Sequence, residues 1–177
     1  MNRLIDLPPE QLTAEQKTVF DKLTAGRGRI LGPYKVWIHS PTVAAGMEHI
    51  GTYLNKRGAL TTREVEIGIL VIARHWDAAY VRQAHIKAGR AAGLSDEIID
   101  AVLAGRDPKL ADPHERAVHR FAAALTAGAR LDDDAFAEIE TALGRDGIAE
   151  VLVLLGYYTS VCLAMKVHEV PIPAPQS

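Results

Sequence analysis

Helix caps recur along this chain at intervals that leave room for little except helices between them. Thr13-Ala14-Glu15-Gln16 and Thr61-Thr62-Arg63-Glu64 each set a hydroxyl before the first turn and an amide or carboxylate three residues later. That pairing satisfies the backbone N–H groups a helix start leaves orphaned. Ser40-Pro41, Ser95-Asp96-Glu97 and Asp112-Pro113 mark further starts, as do Asp132 and Asp146. Gly58, Gly93 and Gly105 fall where helices stop. Alternating strand patterns are nearly absent. The chain is therefore expected to be all-α.

The spacing predicts helices over 13–25 and 41–57, one opening at Thr61, one capped by Asp77 and ended by Gly93, and a short one from Ser95 to Gly105. Others are predicted from Asp112, over 132–143, and from Asp146 through Met165. Gly26 to His39 carries three glycines and a proline without a helical period, and is expected to be a loop. Its glycines lack the Gly-Lys-Ser/Thr ending and preceding strand of a phosphate-binding loop. The 177 residues suit one domain spanning 1–177. It divides into an N-terminal helix and loop (1–40), a core (41–165) and an extended tail (166–177), where Val170 to Pro175 alternates with proline.

A formal charge of -2, with both signs interspersed, argues against nucleic acid as a partner. The single cysteine, Cys162, allows no intrachain disulfide and no cysteine-based zinc cluster, which points to a reducing, cytoplasmic setting. It lies in an apolar helix, where a buried structural thiol is expected. The longest apolar run, Val151 to Met165, is interrupted by Gly156, Thr159 and Ser160 and is shorter than a membrane span, so it reads as a buried helix and no membrane partner is expected. No two of the seven histidines show the i,i+4 spacing with an added Glu that would suggest a metal; His114 and His119, five apart, should face different ways.

One carboxylate stands out. Glu66 sits within Val65 to Ala73, which is otherwise apolar on every face. Such a group must be protonated, hydrogen-bonded or paired. On the next helix His85 lies in the stripe of Val81, Ala84, Ala88 and Ala91. Antiparallel packing of the two helices would bring acid and imidazole together, a pair suited to acid-base catalysis but equally to a structural hydrogen bond. Arg82, one turn before His85, is a candidate cation for developing negative charge, or a solvated flank residue. Tyr80 could donate a hydrogen bond or simply pack. His75 and Trp76, at the helix junction, and Trp37 and His39, from the glycine-rich segment, are candidates for a pocket wall.

The arrangement resembles the carboxymuconolactone decarboxylase and alkylhydroperoxidase D-like (AhpD-like) family. In the peroxidase branch a Glu is followed after eleven residues by Cys, after two more by a second Cys, and after three more by His. Here those positions are Glu66, Ala78, Val81 and His85. The resemblance runs from about Gly32 to Tyr158, through Gly32-Pro33, His39-Ser40-Pro41, Leu60 to Glu64, Ala91 to Ser95, Glu150-Val151 and Gly156-Tyr157-Tyr158. It implies a helical bundle, a pocket lined by the Glu and His helices, and assembly into a homo-oligomer, a trimer or hexamer. A dithiol peroxidase needs one thiolate to attack peroxide and another to resolve the sulfenic acid. Ala78 and Val81 can do neither, which leaves a cofactor-free, decarboxylase-like use of Glu66 and His85 on a small carboxylate or lactone. Thiol peroxidase activity and a non-catalytic small-molecule-binding role are the alternatives.

Overall fold

The computed structural model describes residues 3, 4, 7–28, 30, 32–56 and 58–172. Among them there are eight α-helices and no strand: α1 (Ala14–Arg27), α2 (Gly32–Trp37), α3 (Pro41–Lys56), α4 (Thr62–His75), α5 (Ala79–Ala91), α6 (Asp96–Ala104), α7 (Pro113–Thr126) and α8 (Asp133–Val167). The all-α expectation holds. Both capping boxes form as read: Thr13 and Gln16 bond reciprocally at α1, and Thr61 and Glu64 at α4. Ser95 and Asp112 cap α6 and α7 through their side chains.

α4 runs through the middle, flanked by α5, α6, α7 and α8. Every residue from Glu64 to Ala73 is buried, which is why its sequence is apolar on all faces. Each fully buried Ile or Leu in that run contributes about 1.5–3 kcal/mol over its exposed state. Gly68 lets α8 come close, since a Cβ there would lie 2.7 Å from Leu154 Cδ2.

Two polar clamps fix the start of α4. Arg63 pairs in bidentate fashion with buried Glu115 of α7 at 2.6 and 3.2 Å, and also donates to the Gly93 carbonyl after α5. Glu150 of α8 accepts from the Ala59 and Leu60 amides at 2.8 and 3.2 Å and from the Tyr53 hydroxyl at 2.5 Å. Burial raises the Glu150 carboxyl, but these hydrogen bonds together outweigh it and hold the group below its ordinary value.

Four expectations need correction. The segment 26–39 is not all loop, because Gly32–Trp37 forms α2, whose Tyr34 and Trp37 are buried. Asp77 does not cap α5: it adopts φ 45°, Ala78 stands at the N-cap, and the Asp77 carboxylate instead accepts from Arg82. The tail begins later than 166, since α8 continues to Val167; residues 173–177 lie outside the described set. Finally, α8 is long enough to cross a membrane by length and composition, with a mean hydropathy of 1.8 over its most apolar stretch, half of which is packed inside the protein. The expected break between the last two helices is present as a non-helical Gly144, φ 66° and ψ 175°, inside α8.

Candidate active site

α4 and α5 meet through their polar residues. Glu66 stands one turn into α4, within its buried run, with 6% of its side chain exposed. His85 stands midway along α5, with 18% exposed. Their separation is 2.8 Å from Glu66 Oε2 to His85 Nδ1. The carboxylate is thus satisfied where it is buried. Holding Nδ1 as donor places the second proton-carrying position of the ring, Nε2, on the side away from Glu66.

The imidazole also meets an aromatic ring. Tyr158 of α8 meets the His85 ring edge-on, centroids 5.1 Å apart and planes at 90°. Tyr157 continues the contact at 5.2 Å, Trp37 of α2 meets Tyr157 at 5.9 Å, and Tyr34 meets Trp37 at 5.2 Å. The Tyr34 and Tyr157 hydroxyls are 3.1 Å apart. Gly51 of α3 makes room for them, as a Cβ there would collide with the Tyr157 hydroxyl. α2, α3 and α8 thereby build one wall against which His85 is packed.

The remaining candidates take different positions. Trp37 belongs to this wall. Trp76 donates its indole N–H to Thr159 Oγ1 at 3.2 Å, joining the α4–α5 junction to α8, and His75 packs edge-on against it at 5.0 Å. Tyr80 is half-buried, its hydroxyl close to Gly32 of α2. Arg82 is directed to Asp77, 3.1 Å away. His39 is exposed beyond α2. Ala78, the N-cap of α5, and Val81, within α5, are buried apolar residues and supply no thiol. Cys162 is fully buried in α8, and that burial pushes its thiol up to about 12, only partly opposed by Lys166. Among the described residues no group of three or more His, Cys, Asp or Glu is arranged to hold a metal.

Tyr34, Tyr157 and Tyr158 carry no site role in the sequence reading. For the last two the signal is their pairing within the apolar run Val151 to Met165; Tyr34 lies in the glycine-containing segment 26–39, which shows no helical period.

Comparison with known proteins places these features in context. Residues 41–124, which include Glu66 and His85, match the model of the carboxymuconolactone decarboxylase family. No curated protein is matched by the sequence. Among solved structures, an uncharacterized peroxidase-related protein from Silicibacter superposes with a TM-score of 0.76 at 16% identity, over 98% of this chain and 93% of that one. A Ralstonia eutropha protein described as an alkylhydroperoxidase AhpD core gives 0.71 at 16% identity, over 93% and 88%. The debrominase Bmp8, as a cysteine-to-alanine variant in complex with 2,3,4-tribromopyrrole, gives 0.74 at 14% identity, over 97% and 91%. At these identities the likeness concerns the fold.

Proposed function

Because this chain belongs to the carboxymuconolactone decarboxylase and AhpD-like family, we propose that it is a cofactor-independent, decarboxylase-like enzyme acting on a small cyclic or unsaturated carboxylate or lactone. The observation that carries the proposal is a nearly inaccessible carboxylate held 2.8 Å from a partly open imidazole. Glu66 orients His85 and compensates positive charge on its ring; His85 is the group that exchanges a proton with substrate. In a decarboxylation the bond from carbon to carboxylate breaks and its electrons pass into the substrate's conjugated carbonyl. His85 Nε2–H then protonates carbon, and the ring, now neutral, recovers a proton from solvent. Arg82 is the proposed counter-charge for the intermediate enolate, which requires it to leave Asp77. Tyr80, His75, Trp76, Trp37 and His39 are proposed as substrate-binding residues.

A thiol route is disfavoured by the sequestered Cys162 thiol. Turnover of a panel of unsaturated lactones and carboxylates, followed by release of carbon dioxide, tests the proposal. Loss of turnover in His85→Ala supports it. Saturable binding without turnover in the wild-type protein would replace it with a non-catalytic binding role. Peroxide consumption that disappears in Cys162→Ala would replace it with a thiol peroxidase.

A further inference from the structure

A second site of a different kind lies at the far end of α4. A cleft of about 410 Å³ opens between the turn after α6 and the first half of α7, on a floor of buried Pro108 and Leu110. Arg106 comes from the α6 turn, and Arg116, His119 and Arg120 from successive turns of α7. Arg74, in the last turn of α4, lays its guanidinium against Gly105 at the rim, where a side chain larger than glycine's would collide with it. Gly105 also has φ 67°, so glycine suits both demands.

The carboxylates near this cleft are fewer than its cations. Asp107 pairs with Lys109 at 2.7 Å, and Arg120 with Glu138 at 2.6 Å. Arg116 spends one N–H group on the Leu110 and Ala111 carbonyls, at 3.0 and 2.6 Å, which fixes its orientation without neutralising it. Arg74, Arg106 and Arg116 are thus cations without a carboxylate among these pairs, in a chain whose formal charge is -2. His119 is half-buried beside them. Burial, aided by Arg74 and opposed by Asp107, lowers its affinity for a proton, so at neutral pH it adds an N–H donor without further positive charge. Several forked guanidinium donors and an imidazole converging on a small open cleft match the tetrahedral oxygens of one oxyanion.

We propose that this cleft binds a phosphate-type dianion, either free phosphate or the phosphoryl group of a small monoester. It lies about 12 Å along α4 from Glu66, taking 1.5 Å per residue, and is independent of the acid-base pair.

The full-length protein is titrated with inorganic phosphate, and in parallel with phenyl phosphate, at constant ionic strength maintained with chloride. The His119 imidazole resonances are followed by NMR. Saturable shifts are expected, with an upward move in the pH at which His119 titrates. Arg106→Gln should weaken binding about tenfold or more, the loss of one charge-assisted hydrogen bond. Arg74→Gln, on a different helix and against Gly105 at the rim, should do the same, so either variant decides the matter if the other loses its helical circular dichroism. Response to both probes assigns a monoester site, and response to phosphate alone a free-anion site. A non-saturating response, or one matched by chloride, would overturn the proposal, as would folded variants that bind as well as the wild type.

Discussion

At the scale of single residues, Glu66 is a buried carboxylate hydrogen-bonded to His85, so that an apolar residue in its place would leave the imidazole Nδ1 without that partner. Removing its charge while keeping its shape is the cleanest test of what it does. Glu66→Gln should lower turnover of any accepted substrate by about 10²–10⁴-fold, the usual contribution of positioned acid-base groups. A readout independent of substrate is the His85 tautomer: nitrogen NMR should find the neutral ring protonated at Nδ1 in the wild type, and that preference should be lost in Glu66→Gln. A ring that shows no change would mean the pair is not coupled in solution. Cys162 gives the opposite prediction. With its thiol pushed up to about 12, it should resist a thiol-reactive disulfide reagent at pH 8 in the native protein and react within the mixing time once unfolded. Rapid labelling of the folded protein would restore the thiol route.

At the scale of elements, the chain was most legible where local chemistry alone decides. Reciprocal hydrogen bonds within four residues define a capping box, so the starts of α1 and α4 could be read from Thr13 and Thr61 without knowing the fold. The burial of Glu66 could likewise be read from the apolar residues around it, whereas His85 is only partly buried and, of the stripe Val81, Ala84, Ala88 and Ala91, Val81 alone is buried while Ala84 and Ala91 are exposed. α2 could not be read this way. Its six residues, Gly-Pro-Tyr-Lys-Val-Trp, have no propensity to nucleate, and they are held as a helix by Tyr34 and Trp37 packing on α8, a contact between residues more than a hundred positions apart. Asp77 failed as a cap because the tight turn between α4 and α5 puts it at positive φ, and Arg82 then claims its carboxylate. The aromatic wall beside His85 depends on this same long-range packing, and so went unseen. Gly51 tests it: Gly51→Ala should drive the Tyr34–Tyr157 pair apart and destabilise the protein by about 1–3 kcal/mol, measured by urea denaturation. Glu150, which ties the α3–α4 connection to α8, links stability to pH. Its carboxyl is held below the ordinary 4.5, so its contribution is complete above that value and is lost as pH falls through the lower, folded-state value. The acid side of the stability profile should therefore flatten in Glu150→Gln, and an unchanged profile would remove Glu150 from the acid response.

At the scale of the whole molecule, the outer face of α8 remains to be accounted for. Leu152, Val153, Leu163 and Val167 are all more than 40% exposed, although they belong to the most apolar helix of the chain. Ala149, Val153, Gly156, Ser160, Leu163 and Val167 follow one another at alternating steps of four and three, the spacing of a seam between two helices. A second copy of this chain is the proposed occupant, in keeping with the homo-oligomer, trimer or hexamer, that the family resemblance implies. The placement matters for chemistry. A shallow depression of about 730 Å³ beside this face is lined by Trp37 and Thr159, the latter bonded to the Trp76 indole. Covering it would exclude water from the outside of the wall that packs on His85 and so strengthen electrostatic interactions within. Light scattering on the purified protein should accordingly give a mass of three or six chains. Leu163→Glu should shift it to the monomer with little loss of helical circular dichroism, and lower turnover even though Leu163 makes no contact with Glu66 or His85. A wild-type protein that elutes as a monomer at all concentrations would leave the exposed face without a second copy to cover it, and a monomeric Leu163→Glu with full activity would show that the site is complete within one chain.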